Sequence, residues 1–324
     1  MKSTVSPDID QQMARDVLSG LKTSPKRLPS QYFYDDVGSE LFRDIMRMES
    51  YYPTDCEYEI FEQQAEGICK VFAQPGTPFR LIEFGAGDGL KTKLLLHHLL
   101  GKSTPFTYLP IDISEGAIDN LVVDLTSELP ELEYRAVVGE YFDALHRINE
   151  MHGEGHKVIL FVGGNIGNFT RPEALKFLQA AAREMDPQDQ ILVGFDLKKE
   201  PRTILSAYDD PDGITRSFNL NLLTRFNREL GANFDLEQWQ HYASYNPLTG
   251  ETRSYLLSRC EQAVHFAALD ETITFHAWEA IWTELSQKYD LDMIASLAED
   301  AGFEVVHNFV DSRGYLVDSV WSLK

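Results

Sequence analysis

The run Leu81-Ile82-Glu83-Phe84-Gly85-Ala86-Gly87-Asp88-Gly89-Leu90-Lys91-Thr92 places three glycines within five residues, between an apolar stretch of strand length and a stretch that reads as helix. A strand, glycine turn and helix start leave backbone N–H groups pointing outward and let a ligand approach the chain closely. The dinucleotide fingerprint Gly-x-Gly-x-x-Gly is not met, because the third glycine comes one residue early and Leu90 stands in its place. A pyrophosphate cradle is therefore disfavoured. Glu83 and the turn at Gly85 and Gly87 suit S-adenosylmethionine better, since its ammonium group can be met by acidic and carbonyl groups.

Three more clusters follow apolar runs, where the ligands of parallel sheets bind. Asp112 stands 25 residues beyond Gly87, where a carboxylate can accept from both hydroxyls of a ribose. Glu140 and Tyr141 follow the next run and are placed for an adenine. Gly163-Gly164-Asn165-Ile166-Gly167-Asn168 follows the one after and faces the transferred group. Methyl transfer from a sulfonium to an amine needs little acid–base machinery. Positioning alone is worth up to about 7–11 kcal/mol. Tyrosine and asparagine side chains that orient an amine or a carboxylate are the expected types. The nine histidines, His97 and His98 included, read as structural, and His265 and His276 have no partner pattern for a metal.

These turns need a regular scaffold. Strands are expected at 79–84, 106–113, 132–138, 157–163 and 190–195, with helices between them, one of them at 171–185 with a capping box from Thr170 to Glu173. That rhythm predicts a parallel sheet covered by helices on both faces. A helix at 290–301 stopped by Gly302, then strands at 304–310 and 315–321, add an antiparallel hairpin to its edge. Such an ending is typical of the methyltransferase version of this fold. Upstream, 8–21 reads as an amphipathic helix, and Thr54 with Glu57 reads as a capping box opening a helix that runs to about Phe72. Two aromatic clusters, Tyr32-Phe33-Tyr34 and Tyr51-Tyr52, could form a lid over a small molecule. The stretch 197–280 breaks the rhythm, with a helix at 217–230 and strands at 253–259, 263–268 and 272–276. The expected architecture is α/β. A Rossmann-like class I methyltransferase sheet occupies 59–196 and 287–324, and a second α+β substrate domain occupies 1–58 and 197–286.

Composition limits the partners. With 29 Lys and Arg against 51 Asp and Glu over 324 residues, the net charge of −22 repels nucleic-acid phosphates. No apolar run reaches the roughly 18 residues of a membrane span, and no signal core opens the chain. Three cysteines without metal-type spacing fit a reducing compartment. A soluble cytoplasmic monomer acting on a small molecule is expected, with no nucleic acid, membrane or metal.

Taken in order, the motifs resemble one family, the histidine Nα-methyltransferases of ergothioneine biosynthesis, which convert L-histidine to hercynine with S-adenosylmethionine. The resemblance rests on Tyr32-Phe33-Tyr34-Asp35, Gly38-Ser39, Tyr51-Tyr52-Pro53-Thr54, the Gly85 turn with Lys91-Thr92, and Gly167-Asn168. It continues through Ala207-Tyr208-Asp209-Asp210, Phe226-Asn227-Arg228-Glu229-Leu230 and Thr283-Glu284-Leu285-Ser286-Gln287-Lys288-Tyr289. It implies that Asn168 and Tyr208 hold the substrate carboxylate and that Tyr34 lies near the amino group. Glu284 and Ser286 would take the two imidazole nitrogens, with Tyr51 lining that pocket. Tyr34, Gly85, Gly87, Lys91, Asp112, Glu140 and Tyr141 would meet the cofactor. The chemistry agrees, because a carboxylate beside a hydroxyl answers either protonation form of an imidazole. The chain departs from the family in carrying Glu140-Tyr141 for the usual Asp-Phe, Asn165 for a common Thr, and Ser254 where some relatives have Met. Other readings stay open: an N-methyltransferase of another aromatic amino acid such as tryptophan, a nicotinamide-dependent oxidoreductase, or a non-catalytic adenosylmethionine binder.

Overall fold

The structure is a computed structural model, and it describes residues 10–73, 77–150 and 155–324. The chain divides into two compact units, Met1–Tyr52 with Lys199–Ser286, and Pro53–Lys198 with Gln287–Lys324. The first division thus falls ahead of residue 58, because Tyr52–Phe72 is one uninterrupted 21-residue helix. Among the described residues no helix is long and apolar enough to cross a membrane.

The second unit is built on a seven-stranded sheet. Its spatial order is Phe303–Val310, Leu316–Leu323, Gln190–Asp196, His156–Phe161, Phe79–Phe84, Phe106–Asp112 and Val137–Val138. The five strands from Gln190–Asp196 to Val137–Val138 pair in parallel. The C-terminal hairpin pairs antiparallel, both within itself and onto Gln190–Asp196. All six residues of His156–Phe161 are buried, as a central strand covered on both faces requires. Aromatic and branched side chains fill its core, among them Phe84, Phe161, Phe177 and Trp321. The expected strand at 132–138 shrinks to Val137–Val138 and an isolated bridge from Tyr134 to Tyr108. The chain leaves Phe79–Phe84 for Phe106–Asp112 on one side and later returns to His156–Phe161 on the other. The carboxyl ends of Phe79–Phe84 and His156–Phe161 therefore flank the topological switch point, where ligands of such sheets bind.

The first unit holds a four-stranded sheet in the order Lys26–Arg27, Ala280–Gln287, Glu251–Ser258, Trp239–Asn246, together with the hairpin of Gln262–Phe266 and Glu271–Phe275. Burial alternates strictly along Glu251–Ser258, so one face packs on the core and the other does not. That core is lined by Val17, Phe33, Phe218, Phe226 and Trp239 from helices and strands far apart in sequence. The sequence reading had no strand at Trp239–Asn246, although Trp239, His241 and Ala243 are its buried alternate positions.

Helix ends account for most of the polar motifs. Asp10 caps Gln11–Leu21 through the N–H groups of Gln12 and Met13, so this helix starts later than expected; Asp8 lies outside the described residues. The capping box of Thr170 and Glu173 is present. The one proposed at Thr54 is not, because Thr54 already lies within the helix that begins at Tyr52. Asp210 accepts from the N–H groups of Ile214 (2.9 Å) and Thr215 (2.8 Å) at the start of Ile214–Leu230. Burial pushes its carboxyl up, but those N–H bonds outweigh it and hold the group below the usual 3.8. Asp210→Ala is expected to cost about 1–2 kcal/mol, read as a lower urea midpoint near pH 7. For a group lowered on folding, the proton-linked part of this stability is present above 3.8 and fades as pH falls through the folded value.

Candidate active site

The glycine turn follows Phe79–Phe84 directly, with Gly85, Gly87 and Gly89 at φ +72°, +55° and +64°. Only glycine adopts this left-handed succession without strain. A Cβ at Gly87 would meet nothing within 4 Å, so the turn faces open space there. Asp112 braces it by accepting the Gly87 N–H through Oδ2 at 3.1 Å and the Ser114 N–H through Oδ1 at 2.9 Å. Tyr141 stacks on Phe84 with ring centroids 5.0 Å apart, and its hydroxyl would stand 3.0 Å from a Cβ at Gly85. Burial, then the charges of Asp112 and Glu140, push the Tyr141 phenol up to about 12, so it remains a hydrogen-bond donor. Gly85, Gly87, Asp112 and Tyr141 thus converge on one strand-end cleft, with exposed Glu140 beside Tyr141. An acceptor carboxylate and a flat aromatic group beside a glycine turn that opens on free space fit an adenosyl group with its ribose diol.

Glu83 has a different role from the one read in the sequence. It is buried and faces inward, accepting from the Thr92 hydroxyl at 2.6 Å and from the Tyr108 hydroxyl. Burial raises its carboxyl to about 7. It fastens the strand to the following helix and does not meet a ligand ammonium.

Lys91 closes the turn. Its ammonium is held by Glu57, the residue that the sequence assigned to a capping box. Glu57 is fully buried and also accepts the Gly163 N–H at 2.7 Å. A signal for this was available, since Glu57 shares the apolar stripe of its helix with Ile60 and Phe61, where a carboxylate needs partners. In the same unit, Asn168 ends the short 3-10 turn Asn165–Asn168 and is exposed. Asn165 folds back instead, donating to the Val162 carbonyl at 2.8 Å.

In the other unit, Glu284 and Ser286 lie on Ala280–Gln287 two residues apart, so they share one face of the strand. The Ser254 hydroxyl donates to Glu284 Oε2 at 3.2 Å, and the Trp282 indole N–H donates to the Glu284 carbonyl at 2.7 Å. The Tyr208 hydroxyl donates to the Ser286 hydroxyl at 2.7 Å, both residues being buried. On the opposite strand face, Thr283 donates to Asn219 at 2.9 Å and to the Ser254 carbonyl at 3.0 Å, fixing the strand from behind. Tyr34 is half exposed, its ring set edge-on to Phe42 at 5.6 Å and to Phe218 at 5.9 Å; Tyr51 meets Phe42 at 6.3 Å. The structure therefore joins Tyr208 to Ser286, Tyr34 and Tyr51 around Phe42, and Glu284 to a residue the sequence had noted only as a departure, Ser254.

A family model described as histidine-specific methyltransferase, SAM-dependent, matches residues 13–323. The chain is 34% identical over 302 residues to the histidine N-alpha-methyltransferase of Mycolicibacterium smegmatis, covering 93% of this chain and 92% of that protein. To the histidine N-alpha-methyltransferase of Mycobacterium tuberculosis it is 35% identical, with the same coverage. It is also 30% identical over 243 residues to ergothioneine biosynthesis protein 1 of Schizosaccharomyces pombe, a span of 74% of this chain and 31% of that longer protein. The match takes in the glycine turn, the successive strand ends, the Glu284 strand and the closing hairpin alike, and the chain belongs to the SAM-dependent histidine-specific methyltransferases.

Proposed function

We infer that this methyltransferase transfers three methyl groups in succession from S-adenosylmethionine to the α-amino group of L-histidine, giving hercynine. The observation that carries this reading is the pair of Glu284 and Ser286 on one strand face. Alternate residues of a strand lie about 7 Å apart, a span that an imidazole hydrogen-bonded at both nitrogens fills. An indole has one ring N–H and no second ring nitrogen, so it would leave one of Glu284 and Ser286 without a ring partner, which disfavours tryptophan.

The cofactor supplies an electrophilic methyl carried on a sulfonium. Asp112 is assigned to its ribose, Tyr141 and Glu140 to its adenine, and Gly85, Gly87, Lys91 and Tyr34 to the remainder. On the acceptor side Asn168 and Tyr208 take the carboxylate, and Tyr51 lines the ring pocket. Each methylation needs a neutral amine, so each must be preceded by loss of an N–H proton. Tyr34 or a water takes the hydrogen bond of that N–H and relays the proton towards solvent, the relaying hydroxyl giving up its own proton as it receives one. Apart from Tyr34, the cofactor residues belong to Pro53–Lys198 with Gln287–Lys324, and apart from Asn168 the acceptor residues belong to Met1–Tyr52 with Lys199–Ser286. The negative charge and the free cysteines support a cytoplasmic enzyme that works as a monomer without nucleic acid or membrane.

The reading is tested by incubating the protein with S-adenosylmethionine and a panel of amino acids, followed by mass analysis. Histidine is expected to gain three methyl groups. Methylated tryptophan or tyrosine with untouched histidine overturns the specificity. Ser254→Ala, which removes one donor to Glu284, is expected to raise the KM for histidine about 2- to 10-fold, the effect of ~0.5–1.5 kcal/mol. Its KM for the methyl donor should not move.

A further inference from the structure

Below the switch point, two carboxyl groups meet out of reach of water. Glu57 and Asp318 are both fully buried. They converge over Gly194, which pairs with Asp318 across the sheet. A Cβ on Gly194 would stand 2.6 Å from Glu57 Oε1 and 3.0 Å from Asp318 Oδ1, so a glycine is needed for the two acids to meet. Their surroundings differ. Glu57 accepts from the Lys91 ammonium and from the Gly163 N–H, two donors that suit an anion. Neither oxygen of Asp318 has an N–H or O–H donor among the described residues. Two carboxylates in contact repel one another, whereas an acid and a carboxylate share a hydrogen bond.

We propose that Asp318 keeps its proton and donates it to Glu57, and that this acid pair positions Lys91 and Gly163, the two loops that flank the cofactor cleft. The inference rests on assigning those loops to S-adenosylmethionine. Burial first, and the Glu57 charge second, raise the Asp318 carboxyl well above its usual value, while Lys91 opposes them. The net charge then balances, with one carboxylate for one ammonium. The other titratable groups facing Lys91 and Glu57 are Glu83 and, through it, Tyr108. Glu57 joins the end of the glycine turn to the loop after His156–Phe161, where Gly163 and Gly164 carry φ of +79° and +67°. A Cβ on Gly163 would lie only 3.7 Å from the Lys91 ammonium nitrogen. Glu57 and Asp318 are positioning residues in this account and need not touch the ligand.

The test uses S-adenosylhomocysteine titrated calorimetrically into the full-length protein, with infrared spectra of the same samples. Glu57→Gln removes the carboxylate that accepts from both Lys91 and the Gly163 N–H and is expected to weaken that binding about 10- to 100-fold. It should raise the KM for the methyl donor and leave the KM for histidine unchanged. Asp318→Asn offers an amide N–H where the acid O–H stood and is expected to bind like the wild type. It should also remove a carbonyl band of a protonated carboxylic acid. The spectra are taken well above pH 7, since Glu83 holds a proton up to about 7. Should Glu57→Gln fail to fold, Glu57→Asp keeps the charge with a shorter reach, and a partial loss is expected. Three results overturn the proposal: no acid band lost in Asp318→Asn, undiminished binding in the Glu57 variants, or equal rises in both KM values. A wild-type protein that does not bind S-adenosylhomocysteine overturns the cofactor assignment instead.

Discussion

Glu284→Ala raises the KM for histidine about 10- to 100-fold, and S-adenosylhomocysteine binds the variant as it binds the wild type. The size follows from the interaction removed, because a hydrogen bond to a charged group contributes about 1.5–3 kcal/mol. The selectivity follows from where the side chain is anchored. Its supports are Ser254 and Trp282, and behind the strand Thr283 is held by Asn219; none of these belongs to the cofactor loops. Steady-state kinetics with each substrate varied in turn, beside a calorimetric titration of S-adenosylhomocysteine, separates the two effects. Parallel losses in both would make Glu284 a structural residue and remove the argument for imidazole. A variant that gained activity on tryptophan would support the role of the carboxylate in excluding indoles.

Asp112→Ala shows the complementary pattern. Its affinity for S-adenosylhomocysteine is expected to fall about 10- to 100-fold, again the value of charged hydrogen bonds lost, while the KM for histidine changes little. The carboxylate has two tasks. It accepts the Gly87 N–H at 3.1 Å and so holds the turn in its left-handed course, and it is the acceptor assigned to the ribose diol. Asp112→Asn divides them. An amide oxygen can still take the Gly87 N–H but cannot accept at both positions, so it should bind more tightly than the alanine variant and less tightly than the wild type. If Asp112→Asn binds the nucleoside as tightly as the wild type while Asp112→Ala does not, the residue supports the turn alone.

Much of this scaffold is legible in the sequence because its signals are local. Phe79–Phe84 begins and ends where the apolar run does, and Gly302 stops its helix at φ +90°, as a residue without a Cβ can. The failures share a cause. Thr54 and Glu57 have the spacing of a capping box, yet the helix starts at Tyr52, and Glu57 turns to Lys91 and Gly163. Glu83 looked ready for a ligand at a strand end and is instead consumed by Thr92 and Tyr108. A carboxylate reads the same in a sequence whether it faces water, a ligand or a buried lysine. Its partners decide, and they are distant: Gly163 lies 106 residues beyond Glu57.

The sequence by itself determined the alternation of strands and helices in the unit of the parallel sheet, the three-glycine turn with Asp112 beyond it, and the family resemblance that points to Glu284 and Ser286. Backbone conformation and hydrophobic period are written into neighbouring residues, so these survive without coordinates. Only the tertiary structure decided which acids are tied into the fold. It paired Glu284 with Ser254 and Tyr208 with Ser286, turned Glu83 inward, and brought Glu57 and Asp318 together over Gly194. The reason is physical. The charge state and task of a buried carboxyl depend on burial and on donors brought to it from across the chain.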